Sequence, residues 1–199
     1  MGDQLGLARL PADVTASLGA CAAALASCAV QLDAVLAGAD PAVLEETTKR
    51  RAVCRRAAVD LLAAISASRR TGPDRGELTE LARTCDRTAE AVEAVAYAWT
   101  RHPIPEATDV LHALRDATRA AAKAIESLEK EDCRVVWETR CREREAEARF
   151  LGRAARATLL ARQDDVSLAA AAHDLLTYSS LWLAAVGRLR AALVRCSFE

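Results

Sequence analysis

Apolar residues recur at alternating steps of four and three along most of the chain. This spacing places them on one face of a helix and predicts helices that pack side by side in a bundle. The first such stripe consists of Val14, Leu18, Cys21, Leu25, Cys28, Leu32 and Val35. Five further segments carry comparable stripes, so the pattern predicts an all-α protein of six long antiparallel helices.

Helix-breaking residues separate the six segments. Gly38 ends the first helix, and Pro41 suits the first position of the second, where a missing N–H is harmless. Asp132 is expected to cap the fifth helix, and Asp164 and Asp165 the sixth. The predicted helices cover about 13–36, 41–69, 75–99, 106–130, 132–163 and 166–195.

A proline-containing break, Arg101-His102-Pro103-Ile104-Pro105, divides the helices into two sets of three. Two prolines so close together cannot both continue a helix. We therefore expect a first half at 1–101 and a second half at 102–199, joined in one compact domain. A faint internal repeat agrees with this division, because Val43, Glu46 and Arg50 fall on Val135, Glu138 and Arg142 when the sequence is aligned with itself.

Composition supports helices and argues against several kinds of partner. Of the 199 residues 52% are hydrophobic and only 4% aromatic. The 27 basic and 28 acidic residues nearly cancel, so no nucleic acid partner is expected. The N-terminus is too weakly apolar for a signal peptide, and we expect charge to interrupt every apolar stretch before about 18 residues, which excludes membrane insertion. The protein is therefore expected in the cytoplasm.

The seven cysteines form no CxxC pair, and their number is odd, which argues against disulfide frameworks and zinc ribbons. Most of them lie on apolar faces and are expected to be small buried hydrophobes. A cysteine-rich metal-storage bundle would need inward cysteines at four-residue spacing, and Cys21 and Cys28 are further apart. No nucleophile motif or glycine-rich phosphate loop is present, so no enzymatic activity is expected.

Charged pairs four residues apart remain as candidate chemistry. They are Arg51/Arg55 on the second helix, Asp86/Glu90 on the third and Glu143/Glu147 on the fifth. Residues four apart share a helix face, so paired carboxylates on adjacent helices can converge on a cation. The alternative is a solvated face with ion pairs.

The layout of two three-helix halves resembles the PhoU-like family, which includes the Pit-accessory proteins found beside low-affinity phosphate transporters. Thr71-Gly-Pro-Asp-Arg-Gly-Glu-Leu78 resembles the Thr-Pro-x-Asp-Arg-x-Asp-Ile turn before the family's third helix. Leu81-Ala-Arg-Thr-Cys-Asp86 with Glu90 resembles the acidic motif of that helix. Arg142-Glu-Arg-Glu-Ala-Glu147 resembles the Leu-Glu-x-Glu-Ala-Asp motif of the fifth helix. The resemblance extends from about residue 14 to residue 195.

The resemblance implies acidic motifs on two helices of each half, which hold iron or zinc clusters on the bundle surface. Two motifs survive here, Asp86/Glu90 and Glu143/Glu147, whereas Thr177 and Leu181 occupy the sixth-helix positions. Arg51 and Arg55 occupy the second-helix positions, and we expect their positive charge to replace the bound metal through ion pairs. We expect both arginines to face Asp86 and Glu90, because a guanidinium can pair with a carboxylate bidentately. No cofactor is expected, although weak binding of a divalent cation, iron or zinc is left open.

The resemblance thus implies a non-enzymatic regulator or accessory protein of phosphate transport that works by contact with a transporter or sensor kinase. The alternative is a helical-bundle binding or scaffold protein with no phosphate role and no intact metal cluster. A homodimer formed near Trp99 and Trp182 is left open.

Overall fold

The computed structural model describes residues 10–38, 41–68, 73–128, 130–161 and 166–196. These residues form six α-helices and one short 3-10 turn, with no strand among them, which confirms the predicted all-α bundle. The helices are α1 (Ala12–Ala37), α2 (Pro41–Ala67), α3 (Pro73–Arg101), α4 (Thr108–Glu126), α5 (Glu131–Leu160) and α6 (Val166–Arg195), and the 3-10 turn Pro105–Ala107 precedes α4.

Most predicted helix ends are confirmed, and one predicted cap is wrong. α1 ends before Gly38, which has an extended backbone, and α2 begins at Pro41. α5 already begins at Glu131, so Asp132 lies inside its first turn, and Lys130 precedes the helix without a side-chain cap. The predicted caps Asp164 and Asp165 lie outside the described residues.

The predicted stripes form a continuous core. All seven stripe residues of α1 are buried, and so are the corresponding residues of α3, from Leu78 to Trp99. Val59 of α2 is an exception, because it was expected on the apolar face and its side chain is 56% exposed. The arginine-rich middle of α2 shifts its buried face to Cys54, Ala58 and Leu61.

Within each half the three helices pack against one another, α1 with α2 and α3, and α4 with α5 and α6. The halves meet where α1 packs on α4 and α3 packs on α6, so the main contacts of α2 and α5 lie within their own halves. Buried residues recur at the same spacing in α3 (Leu78, Leu81, Cys85, Val92) and α6 (Ala172, Leu175, Ser179, Val186). This spacing is common to packed helices, so the internal duplication stays a prediction.

α1 corrects the expectation that charge interrupts every apolar stretch. No charged residue stands between Asp13 and Asp33, and the helix is long and apolar enough to cross a membrane by length and composition. Half of that apolar stretch is buried against other helices, however. Its packing against α2, α3 and α4 accounts for its apolar character.

One ion pair joins the two halves, and the two tryptophans expected near a dimer interface are buried. Arg115 of α4 donates to the carboxylate of Asp33 on α1, which adds an ion pair across the joint. Trp99 and Trp182 are 6% and 0% exposed, and the Trp182 indole N–H donates to Thr118 Oγ1 at 2.9 Å. Both tryptophans therefore belong to the core and are not available for a dimer interface.

Candidate functional site

Arg51 on α2 faces two carboxylates of α3. Its Nε lies 3.5 Å from Glu93 Oε2, and its Nη2 lies 4.0 Å from Asp86 Oδ1. The Arg51 side chain is only 17% exposed. Both distances exceed those of a bidentate hydrogen-bonded pair, and Arg51 Nε and Asp86 Oδ1 have no hydrogen-bond partner. Arg51 therefore contributes a partly buried positive charge between two acids.

Of the two arginines predicted to face the acids of α3, only Arg51 does so. The structure brings Arg51 to Asp86, but Arg55 and Glu90 are exposed and form no ion pair within the described ranges. Four residues exceed one helical turn, so Arg55 is rotated about 40° from Arg51, toward solvent. Glu93, which the sequence analysis missed, lies two turns after Asp86 on the same face of α3, and this spacing could have identified it.

These residues do not fit the metal cluster that the family resemblance implies. A guanidinium lies where the resemblance places metal-binding carboxylates, and its single positive charge faces Asp86 and Glu93. Throughout the part of the chain that the structure describes, no group of three or more His, Cys, Asp or Glu side chains is placed to hold a metal ion.

The acidic pair predicted on α5 points to solvent. Glu143 and Glu147 are both exposed, and Glu147 Oε2 accepts a hydrogen bond from Arg144 Nη1 at 2.5 Å. The pair therefore forms part of a solvated charged face, which was the alternative interpretation of this motif. The buried carboxylate of α5 is instead Glu145, whose side chain is 2% exposed.

Two arginines hold the Glu145 carboxylate. Arg190 of α6 donates from Nε to Oε2 at 2.9 Å, and Arg149 of α5 donates to Oε1. Gly187 of α6 makes this approach feasible, because a Cβ there would lie only 3.1 Å from Glu145 Oε1. The sequence analysis missed Glu145, although Cys141, Glu145 and Ala148 follow the buried spacing of four and three.

The two ion-pair sites have opposite polarity. In the first half the arginine belongs to the second helix and the acids to the third, as Arg51, Asp86 and Glu93 show. In the second half the acid belongs to the middle helix α5 and its cross-helix arginine to α6, as Glu145 and Arg190 show. Each half thus joins its last two helices through charge, but in the reverse order.

Four buried thiols from three helices meet in the core of the first half. Cys54 of α2 contacts Cys21 and Cys28 of α1, and Cys21 also contacts Cys85 of α3. Cys54 Sγ lies 3.9 Å from the Cys85 carbonyl oxygen. All four are free thiols. Burial of the cysteines is predictable from their spacing, but the cluster is not, because the helix registers that bring the thiols together are not visible in spacing along one helix.

Contacts with neighbouring thiols, together with burial, raise the pKa of Cys21, Cys28 and Cys54 and keep these thiols protonated. The contact with Cys54, followed by burial, raises the pKa of Cys28 far above its usual value. The contact with Cys54 lowers the pKa of Cys21, but the contact with Cys85 and burial outweigh it and raise that pKa. In the second half burial raises the pKa of Cys141 to about 12. Because the thiolate is the reactive form, these thiols are chemically quiet in the folded protein.

A groove of about 250 Å³ opens between α5 and α6 over α4, and we call it the α5–α6 groove. Three arginines of α5 and two serines of α6 stand along it. Apolar side chains of all three helices line the rest. The lining residues are Val110, Leu114, Ala148, Arg149, Gly152, Arg153, Arg156, Leu176, Ser179, Ser180 and Leu183.

Comparison with models of known protein families finds no match, and no curated protein matches the sequence. The resemblance to the PhoU-like family therefore stays a prediction. Inference about function depends on the arrangement of the helices and on the side chains described above.

Proposed function

We propose that this protein is a non-enzymatic, PhoU-like regulator or accessory protein of phosphate transport that acts in the cytoplasm through protein–protein contact. The observation that carries the proposal is Arg51, which presents a fixed positive charge to Asp86 and Glu93. At this position the family resemblance implies metal-binding acids. A covalently held cation would let the bundle keep its shape without metal, so contact with a partner would not require it.

The outer helices suit such contact. α2 and α5 each pack chiefly on two neighbours, which leaves their outer faces free of the bundle. Val53 and Val59 of α2 are 59% and 56% exposed, and Phe150 of α5 is 66% exposed. Large exposed apolar side chains of this kind are common at protein contacts. We expect a partner to cover the outer face of α2.

Capture experiments test this function. The purified protein is presented to a Pit-type phosphate transporter and, separately, to a phosphate-sensing kinase from the same organism. We expect capture of one of them that persists in a metal chelator and is lost in Val53→Asp/Val59→Asp. Val30→Asp is the matched control, because Val30 is an exposed valine (44%) on α1. No capture of either partner, or capture abolished by the chelator, would contradict the proposal.

Arg51 itself provides a second test. We expect Arg51→Met to lower the free energy of unfolding by about 1–3 kcal/mol, because it leaves Asp86 and Glu93 partly buried without their cation. Arg55→Met changes an exposed arginine on the same helix and should cost less than about 0.5 kcal/mol. Chemical denaturation measures both. Equal costs, or stoichiometric metal in the purified protein by elemental analysis, would refute the idea that Arg51 replaces a metal.

The second candidate function is a binding or scaffold protein with no role in phosphate transport. The α5–α6 groove favours it, because a lined groove is a feature of ligand binding rather than of transport regulation. A Pit-type transporter gene beside the gene of this protein would favour the first candidate, and its absence together with failed capture would favour the second.

A further inference from the structure

We propose that the α5–α6 groove binds a small amphiphilic carboxylate, with its chain against the apolar floor and its head group on Arg153 and Arg156. This inference goes beyond the regulatory function and does not depend on it. It is drawn from the charge, lining and size of the groove.

The charge of the groove selects an anion. Arg149, Arg153 and Arg156 are spaced by four and three on α5 and therefore share one side of the groove. Arg149 is held by the buried Glu145 carboxylate. Arg153 and Arg156 are exposed, and neither forms an ion pair among the described residues. Since no acidic side chain belongs to the described lining, two guanidiniums are left to bind an anionic head group.

The two serines on the opposite side of the groove do not donate hydrogen bonds to that head group. The hydroxyl of Ser179 donates to the Leu175 carbonyl at 2.8 Å, and that of Ser180 donates to the Leu176 carbonyl at 2.7 Å. Both hydroxyl protons are therefore committed to the backbone of α6. The hydrogen bonds to an anion would come from the arginines of α5, at one edge of the groove.

The floor of the groove is apolar and suits the hydrocarbon chain of a ligand. Val110 and Leu114 of α4 and Leu176 and Leu183 of α6 line it. A Cβ at Gly152 of α5 would lie in ordinary van der Waals contact with Val110 Cγ1, at 3.9 Å, so a larger side chain there would extend into the groove. The volume of about 250 Å³ lies just below the range of about 300–1,000 Å³ that is typical of small-molecule sites, and it is too small for a folded partner. A medium-chain fatty carboxylate combines the required charge, shape and size.

Calorimetric titration of the full chain with octanoate tests the proposal. We expect saturable binding of one octanoate per chain, tightening roughly fourfold for each methylene added between hexanoate and octanoate. Octanol lacks the charge, acetate lacks the chain and octylammonium reverses the charge. We expect each of these to bind at least tenfold more weakly than octanoate.

Variants locate the binding to the groove. Arg153→Gln/Arg156→Gln should weaken octanoate binding roughly tenfold or more, and Gly152→Leu, which fills the groove, should abolish it. Arg142→Gln changes an exposed arginine on the same helix outside the groove and should leave binding unchanged. Circular dichroism checks that each variant is folded. The proposal is overturned if octanoate does not bind, if octylammonium binds as well, or if folded Gly152→Leu retains binding.

Discussion

The buried carboxylate of Glu145 makes a quantitative prediction, because two arginines of different exposure share it. The Arg190 side chain is 29% exposed and reaches across from α6, whereas that of Arg149 is 57% exposed and belongs to the same helix as Glu145. Deleting one partner of a fully buried ion pair costs about 3–5 kcal/mol, because a buried charge is left uncompensated. Here one arginine always remains, so the cost should be smaller and should differ between the two.

We expect Arg190→Met to lower the free energy of unfolding by about 2–3 kcal/mol, since Glu145 keeps only its exposed partner. Arg149→Met should cost about 0–1 kcal/mol, because an exposed side chain gains little from its ion pair. Methionine keeps much of the aliphatic bulk in both variants, so the comparison isolates charge and hydrogen bonding. Urea denaturation followed by circular dichroism near neutral pH measures both.

A double-mutant cycle separates the ion pair from general loss of packing. In a Glu145→Gln background, Arg190→Met should cost less than in the native chain by about 1–2 kcal/mol, because the charge it compensates is gone. Equal costs for the two arginine variants would refute the assignment of Arg190 as the main partner. A coupling energy below about 0.5 kcal/mol would refute the ion pair itself.

Two further predictions concern glycines and thiols. Gly19→Ala should raise the melting temperature by about 2–4 °C through helix propensity, since a Cβ at this position would have no neighbouring atom within 4 Å beyond its own helix backbone. Gly187→Ala should give no such rise, because its Cβ would displace Glu145. Scanning calorimetry measures both, and an equal rise for the two variants would contradict this explanation. Folding raises the pKa of Cys141, so its thiol contributes its whole share to the free energy of unfolding below about pH 8.5. That contribution should decrease as the pH rises toward about 12, by up to about 1.4 kcal/mol per pH unit for each such thiol. Cys141→Ala should remove one thiol's share of that slope in urea titrations at alkaline pH and Cys133→Ala, an exposed control, should not.

The fold was predictable because the spacing of apolar residues along each helix is visible in the sequence of that helix alone. The four-and-three stripe of α1, from Val14 to Val35, is visible in sequence and all of it is buried. Val59 was misplaced because a helix rich in arginine offers two apolar faces, and only packing against α1 and α3 decides between them. Residue spacing identifies a face, but it does not say which face meets a neighbour.

The candidate sites were less predictable, since they depend on contacts between helices. Glu145 stands in a run of alternating charges, where the exposed Glu143 and Glu147 are indistinguishable from it by type. Only the spacing of Glu145 from Cys141 and Ala148 indicates that its side chain points into the bundle. The thiol cluster and the α5–α6 groove depend on how three helices are rotated relative to one another, which no single stripe encodes.

Arginine and acid exchange helices between the two ion-pair sites, and this difference distinguishes two otherwise similar halves. If α2 were to pack on α6 during folding, Arg51 would meet Arg190, and if α5 were to pack on α3, Glu145 would meet Asp86 and Glu93. Like charges removed from water repel strongly, so both exchanges are penalised. The opposite polarity thus disfavours mispairing between the two halves of one chain.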